Sequence, residues 1–207
     1  MQLEKYTGTL YKFQFVIKRN MEIGKTLYVI NRNDWQSWLA KNHDKEKEIW
    51  LIYYRKSSGK PRIPYNDAVE EALCYGWIDS IFKGIDEEKF VQRFSPRKPK
   101  SILSEMNRER VRRLVKQGKM TPIGLTSIAH VFNPNKEKGK LIIAPDILKF
   151  LKQNKEVWKN FQKFPSSYKR VRIGWIEEAR THQKFFNQRL NYFLKMTAKN
   201  KKYGMVQ

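Results

Sequence analysis

The chain has 207 residues, 40% of them hydrophobic, 14% aromatic and 30% charged, which excludes a disordered chain and is enough to bury a sizeable core. Against 20 Asp and Glu stand 43 Lys and Arg, a formal net charge of +23 that attracts polyanions over long range. The single cysteine, Cys74, excludes an internal disulfide and fits a reducing cytoplasm, and His43, His130 and His182 lie too far apart in sequence to read as a zinc site, so neither metal nor cofactor is expected.

Residues 1–20 place Lys5, Lys12, Lys18 and Arg19 around a short apolar run. Lys12 and Gln14 interrupt that run and no small-residue cleavage pattern follows it, so the segment is expected to be an N-terminal extension, with Met21 as the natural start, and not a secretory signal. Asn33 or Asp34 is placed to cap a helix through Ala40 with Trp35, Trp38 and Leu39 on one face, and 48–54 reads as a buried strand. The loop 56–64, KSSGKPRIP, carries a Gly-Lys pair but lacks the upstream glycine and the Ser/Thr of a phosphate loop, so a nucleotide P-loop is rejected.

The stretch 66–97 is the least basic part of the chain, with Asp67, Glu70, Glu71, Asp79, Asp86, Glu87 and Glu88 among small and aromatic residues. Ala68, Val69, Ala72 and Leu73 recur at helical spacing, Gly76 fits a helix stop, and alternation over 89–94 predicts a strand after one at 77–82. Trp77, Ile78, Val91 and Phe94 are expected in the core. Ser101 or Ser104 caps a basic helix ending near Gln117 and Gly118, and Thr121 with Pro122 opens another. The segment 133–140 holds no large apolar residue and reads as a linker. Beyond Pro145 the apolar spacing predicts four further helices. The expected fold is α+β, mainly helical, with a small antiparallel sheet and a C-terminal helical subdomain. Its expected divisions are an extension (1–20), a core domain (21–132), a linker (133–140) and a basic helical subdomain (141–207).

Several segments carry a family resemblance: WQSWLAKNH and EIWLIYYRK, then EALCYGWIDS, QRFSPRKPKS and a following Asn-containing helix with GKM behind it, over 35–124, and a YxxxxxxWIxxAR pattern within 167–194. On these the chain resembles the YdeI/OmpD-associated family, the bacteriocin-protection-like proteins of bacteria. It departs from the pattern at Ile102, Leu103 and Ser104, where members commonly carry Trp-Ser, and from His182 to Lys184, where a Thr-Arg pair is usual. The resemblance implies a family and a fold but carries over no catalytic residue.

From the residues themselves, Asp79, Arg93, Arg97 and Asn107 form the candidate anion-binding set, because a guanidinium fork takes a carboxylate or phosphate bidentately and a helix N-terminus favours anions. Within it Arg93 is expected to pair with Asp79 and Arg97 to face the ligand. Lys169, Arg170 and Arg172 are the nucleic-acid-binding candidates. Cys74 reads as a buried small apolar residue, since a helix C-terminus disfavours a thiolate. The function expected is that of a cytoplasmic bacteriocin-protection or stress-associated protein that acts by binding. The alternatives are a non-specific nucleic-acid-binding protein and an enzyme on a small anionic substrate, with catalysis left open.

Overall fold

Six consecutive β-prone residues, Ile49–Tyr54, form the strand on which the first part of the chain is built. The computed structural model describes residues 22–135 and 139–204, so the extension assigned to 1–20 lies outside the described residues. Two compact units result, one ending at Arg97 and the other beginning at Lys98. This division differs from the linker expected at 133–140, because the helices that precede that segment pack with those that follow it.

In the first unit the order is β1 (Thr26–Leu27), α1 (Arg32–Asn42), β2 (Ile49–Tyr54), a single 3-10 turn (Lys56–Ser58), α2 (Tyr65–Cys74), β3 (Trp77–Gly84) and β4 (Lys89–Pro96). The sheet runs β1-β2-β4-β3. The three longer strands are antiparallel, as expected, but β1 pairs parallel to β2, so the sheet is mixed. Two residues with no alternation of their own leave no readable signal, which is why β1 escaped the sequence. The cap of α1 is Asn31, whose side chain accepts from the Asp34 backbone N–H, and it precedes the expected Asn33 or Asp34 by two or three residues. Gly76 takes φ +73 just past the end of α2, a conformation a side chain would strain.

The helices α1 and α2 cover one sheet face. Trp35 is fully buried, donates its indole N–H to the Ala68 carbonyl at 3.0 Å, stacks on Trp38 and meets Phe94 edge-on. Trp77 is 1% exposed, stands edge-on to Trp38 and donates to the His43 carbonyl. Val91 and Phe94 are buried as expected, whereas Ile78 is only half-buried. Beyond these, Arg32 of α1 reaches three acids of α2, Asp67, Glu70 and Glu71. That contact lets two carboxylates, 6% and 3% exposed, sit in a packed helix.

The second unit is all helical among its described residues: α3 (Glu105–Lys116), α4 (Pro122–Ile128), α5 (Pro145–Gln153), α6 (Lys155–Lys163), α7 (Ser166–Glu177) and α8 (Gln183–Ala198). Ser104, Thr121 and Asn154 cap α3, α4 and α6 through side-chain oxygens. One apolar cluster joins Ile147 and Leu151 to Val157, Phe161, Ile173, Ile176, Phe186, Leu190 and Phe193. Against it α3 lies on α7, where a Cβ added to Gly174 stands 2.5 Å from the Glu105 Cβ, so only glycine admits this approach. Among the described residues no helix is long and apolar enough to cross a membrane.

Replacing Trp77 by alanine is expected to destabilise the protein by about 3–5 kcal/mol, since it opens a large cavity and strands the His43 carbonyl. Urea denaturation of the full chain measures it, and a loss under about 1 kcal/mol contradicts the packing described. For Gly174→Ala the expectation is a net loss of about 1–3 kcal/mol, because overpacking against Glu105 outweighs the gain in helix propensity. A higher melting temperature for this variant contradicts that expectation.

Candidate functional site

Directly paired residues in a sheet share a face, so the register assigns each side chain. Ile49, Leu51 and Tyr53 of β2 oppose Phe94, Gln92 and Phe90 of β4, and on β3 Trp77, Asp79 and Phe82 oppose Pro96, Phe94 and Gln92. A shift in pairing between Asp79 and Phe82 keeps both on this face although they are an odd number of residues apart. One end of the face is the tryptophan-rich core. Toward the other end it becomes polar.

There Tyr53 is 2% exposed and stacks on Phe90 at 5.2 Å, while Phe90 also touches Phe82. Asp79 accepts a 2.6 Å hydrogen bond from the Tyr65 hydroxyl at the start of α2. Gln92 is buried between the strands that carry Tyr53 and Asp79. From the loop before α2 the guanidinium of Arg62 lies 5.9 Å from the Tyr53 ring and 5.8 Å from that of Phe90. Burial first, and the Asp79 charge second, push the Tyr53 phenol well above its ordinary range, with Arg62 opposing them. The group is therefore a neutral O–H donor at any physiological pH, and its oxygen is sealed from solvent with no hydrogen-bond partner. Buried hydroxyls nearly always have one.

Of the residues picked from the sequence, only Asp79 belongs to this cluster. Arg93 pairs with Glu48, at 2.6 Å, and donates to the Ser80 and Ser95 hydroxyls. Its neighbour Phe94 is the residue opposite Asp79, so Arg93 points from the opposite face and the expected Arg93–Asp79 pair does not form. Arg97 lies just beyond β4, its backbone N–H on the Gly76 carbonyl; the residue is 9% exposed, and burial lowers the proton affinity of its guanidinium. Asn107 belongs to the second unit, in the first turn of α3, and accepts from Arg110 at 2.8 Å. Tyr53, Arg62, Tyr65 and Gln92 were missed. The only signal for them was the alternation through 48–54 and a basic loop ahead of an acidic helix.

The nucleic-acid candidates separate in the same way. Arg170 is held by Glu109 and the Gly139 carbonyl. Arg172 is 5% exposed, with its guanidinium 4.4 Å from the Tyr203 ring, 5.4 Å from Tyr168 and 5.7 Å from Trp175. Lys169 alone of the three keeps its ammonium at the surface, on the Gln162 carbonyl. The tail pattern that carried the family resemblance is largely internal, apart from the exposed Arg180. Tyr168, Ile176 and Ala179 are buried, Trp175 lies under Arg189 at 4.8 Å, and Arg180 pairs with Asp146 and Glu177 over the Phe186 ring. These residues join α5, α7 and α8. Cys74 is buried, 1% exposed, as expected.

The Glu48–Arg93 pair makes acid stability testable. The hydrogen bond from Arg93, against a partial desolvation and aided by Trp50, holds the Glu48 carboxyl below its usual range. A carboxylate lowered in the fold contributes stability above its unfolded pKa of about 4.3 and loses it as pH falls through the folded value. Because Glu48 is 32% exposed, solvent screening keeps this to no more than about 1 kcal/mol. Glu48→Gln is expected to be less stable than the parent chain at pH 7 and to converge with it below about pH 4. A difference in urea midpoint that stays constant from pH 7 to pH 3 contradicts the assignment.

Two family models match the chain. Residues 27–127 match a domain of unknown function (DUF8412), and residues 140–200 match the family described as Bacteriocin-protection, YdeI or OmpD-Associated. The tail segment 167–194 thus lies inside the stretch that matches the family its pattern resembled, while the longer stretch 35–124 is covered by a different model. No curated protein and no solved structure matches the chain.

Proposed function

From the match of residues 140–200 to the YdeI/OmpD-associated family, we propose a cytoplasmic role in bacteriocin protection or stress, exerted by binding a small anionic ligand and not by catalysis. The observation that supports the reading is the sealed, unpartnered hydroxyl of Tyr53, whose ring lies 5.9 Å from the Arg62 guanidinium. An unmet buried hydroxyl costs about 1–3 kcal/mol. A carboxylate or phosphoryl oxygen that accepts from Tyr53 and Arg62 together recovers that cost and gains a charge-assisted bond. Asp79, already an acceptor for Tyr65, disfavours a bare polyanion and favours a ligand with a donor group beside its acidic one. The phenols, amide and aromatic faces of the cluster suit recognition. Arg97 and Asn107 remain proposed as further anion contacts in their own units.

Calorimetric titration of the full chain with inorganic phosphate, succinate and glutamate tests this reading. At least one of them is expected to bind, and Tyr53→Phe is expected to weaken that binding tenfold or more, equivalent to about 1.4 kcal/mol. The same variant leaves the free protein as stable as before, or slightly more so, since it deletes an unsatisfied group. A Tyr53→Phe chain that loses more than about 1 kcal/mol without ligand gives the hydroxyl a purely internal role and removes the proposal. So does failure of all three compounds to bind at millimolar concentration.

A further inference from the structure

The charge of this protein is unevenly placed. From Lys98 onward 26 Lys and Arg stand against seven Asp and Glu, a net of +19, and the remaining residues account for only +4. Within the second unit arginine and lysine are sorted. Arg112 and Arg170 share Glu109, Arg108 donates to the Val131 carbonyl, and Arg172, Arg180 and Arg189 lie over aromatic rings. The outward charge is left to lysine.

On α6 the lysines Lys155, Lys159 and Lys163 recur every fourth residue, all exposed, and so form one row with steps of about 6 Å along the axis. The Nζ of Lys169 on the Gln162 carbonyl adds a fourth ammonium at the end of that row. Asn160 donates to the Thr197 and Ala198 carbonyls and so seats the end of α8 against α6, which brings the exposed Lys199 and Lys202 to the same end of the unit. Glu156 is the only acid on α6, and no ion pair within the described residues engages Lys155, Lys159, Lys163, Lys199 or Lys202. Of the apolar residues of this helix, Val157 and Phe161 are turned into the core, and Trp158 packs half-buried against it beneath the Lys152 ammonium. No hydrophobic wedge therefore accompanies the charge, as an interfacial membrane helix requires.

We propose that this lysine row and the adjoining end of α8 bind the phosphate backbone of double-stranded nucleic acid without sequence preference. The row's step of about 6 Å compares with about 6.8 Å of helix rise for two phosphates along one strand. Compact ammoniums on flexible stems suit point contacts to phosphate, whereas a base-reading surface needs fixed forks, and those named here are engaged by carboxylates, carbonyls or rings.

Fluorescence anisotropy of the full chain with a labelled 20-base-pair DNA duplex of random sequence, from 50 to 300 mM NaCl, decides it. Binding is expected to fall with salt at a log-log slope of about −3.6 to −4.5, as about four to five phosphate contacts require. Replacing Lys155, Lys159 and Lys163 by alanine reduces the magnitude of that slope by about 2 to 3 and weakens binding at least tenfold at 50 mM salt. Replacing the exposed Lys41, Lys45 and Lys47 of the first unit removes the same charge and leaves the slope unchanged. Equal losses in both triple variants reduce the effect to net charge and overturn the proposal. No duplex binding at 50 mM salt does the same, as does lysine-dependent binding to phosphatidylserine vesicles by a chain that ignores the duplex. None of the three α6 lysines packs in the core, so an unchanged unfolding midpoint is expected for that variant, and Lys159→Glu alone repeats the test with one substitution.

Discussion

The first unit depends on how Trp35 is held. Its indole is fully buried, its ring lies against Trp38 and Phe94, and its N–H donates to the Ala68 carbonyl. One side chain thereby fixes α1 to α2 and to β4. A buried indole without a partner for its N–H is costly, and one with a partner is a rigid directional anchor. With α1 and α2 set, the start of α2 places Tyr65 over Asp79, and the preceding loop places Arg62 over Tyr53. The polar cluster is thus a consequence of the tryptophan core at the other end of the same face.

The second unit solves a different problem, a net +19 on 110 residues. Like charges oppose compaction unless they are paired, delocalised over aromatic rings or left in water. Arginine takes the first two routes, in the Glu105–Arg112–Glu109–Arg170 chain between α3 and α7 and in the ring contacts of Arg172, Arg180 and Arg189. Its planar, weakly hydrated head makes this feasible, while the ammonium of lysine keeps its hydration at the surface. The tail pattern shared with the YdeI/OmpD-associated family lies inside this scaffold, so it specifies a way of packing helices.

The candidate site was only partly legible beforehand, and the reasons are geometric. Asp79 stood out as an acid among aromatics. Its partner was misread because Arg93 and Phe94 alternate across the sheet and only the β3–β4 register says which of them shares a face with Asp79. The irregular pairing between Asp79 and Phe82 breaks the two-residue period on which such readings rest. Arg170 and Arg172 looked like a basic surface because sequence reports charge and not what lies over it.

Local signals determined most of the elements. Alternation and apolar spacing set the three longer strands and the helices from α2 onward, and Ser104, Thr121 and Gly76 marked ends where the sequence placed them. Composition likewise determined a buried core and an overwhelming positive charge. Tertiary structure alone decided the parallel pairing of β1, the closeness of α3 to α7 at Gly174, which arginines are enclosed, and that the Tyr53 hydroxyl is left without a partner. Each of those is a contact between residues far apart in the chain. Periodicity and capping chemistry act over a few residues, whereas register, burial and pairing are set by which surfaces meet.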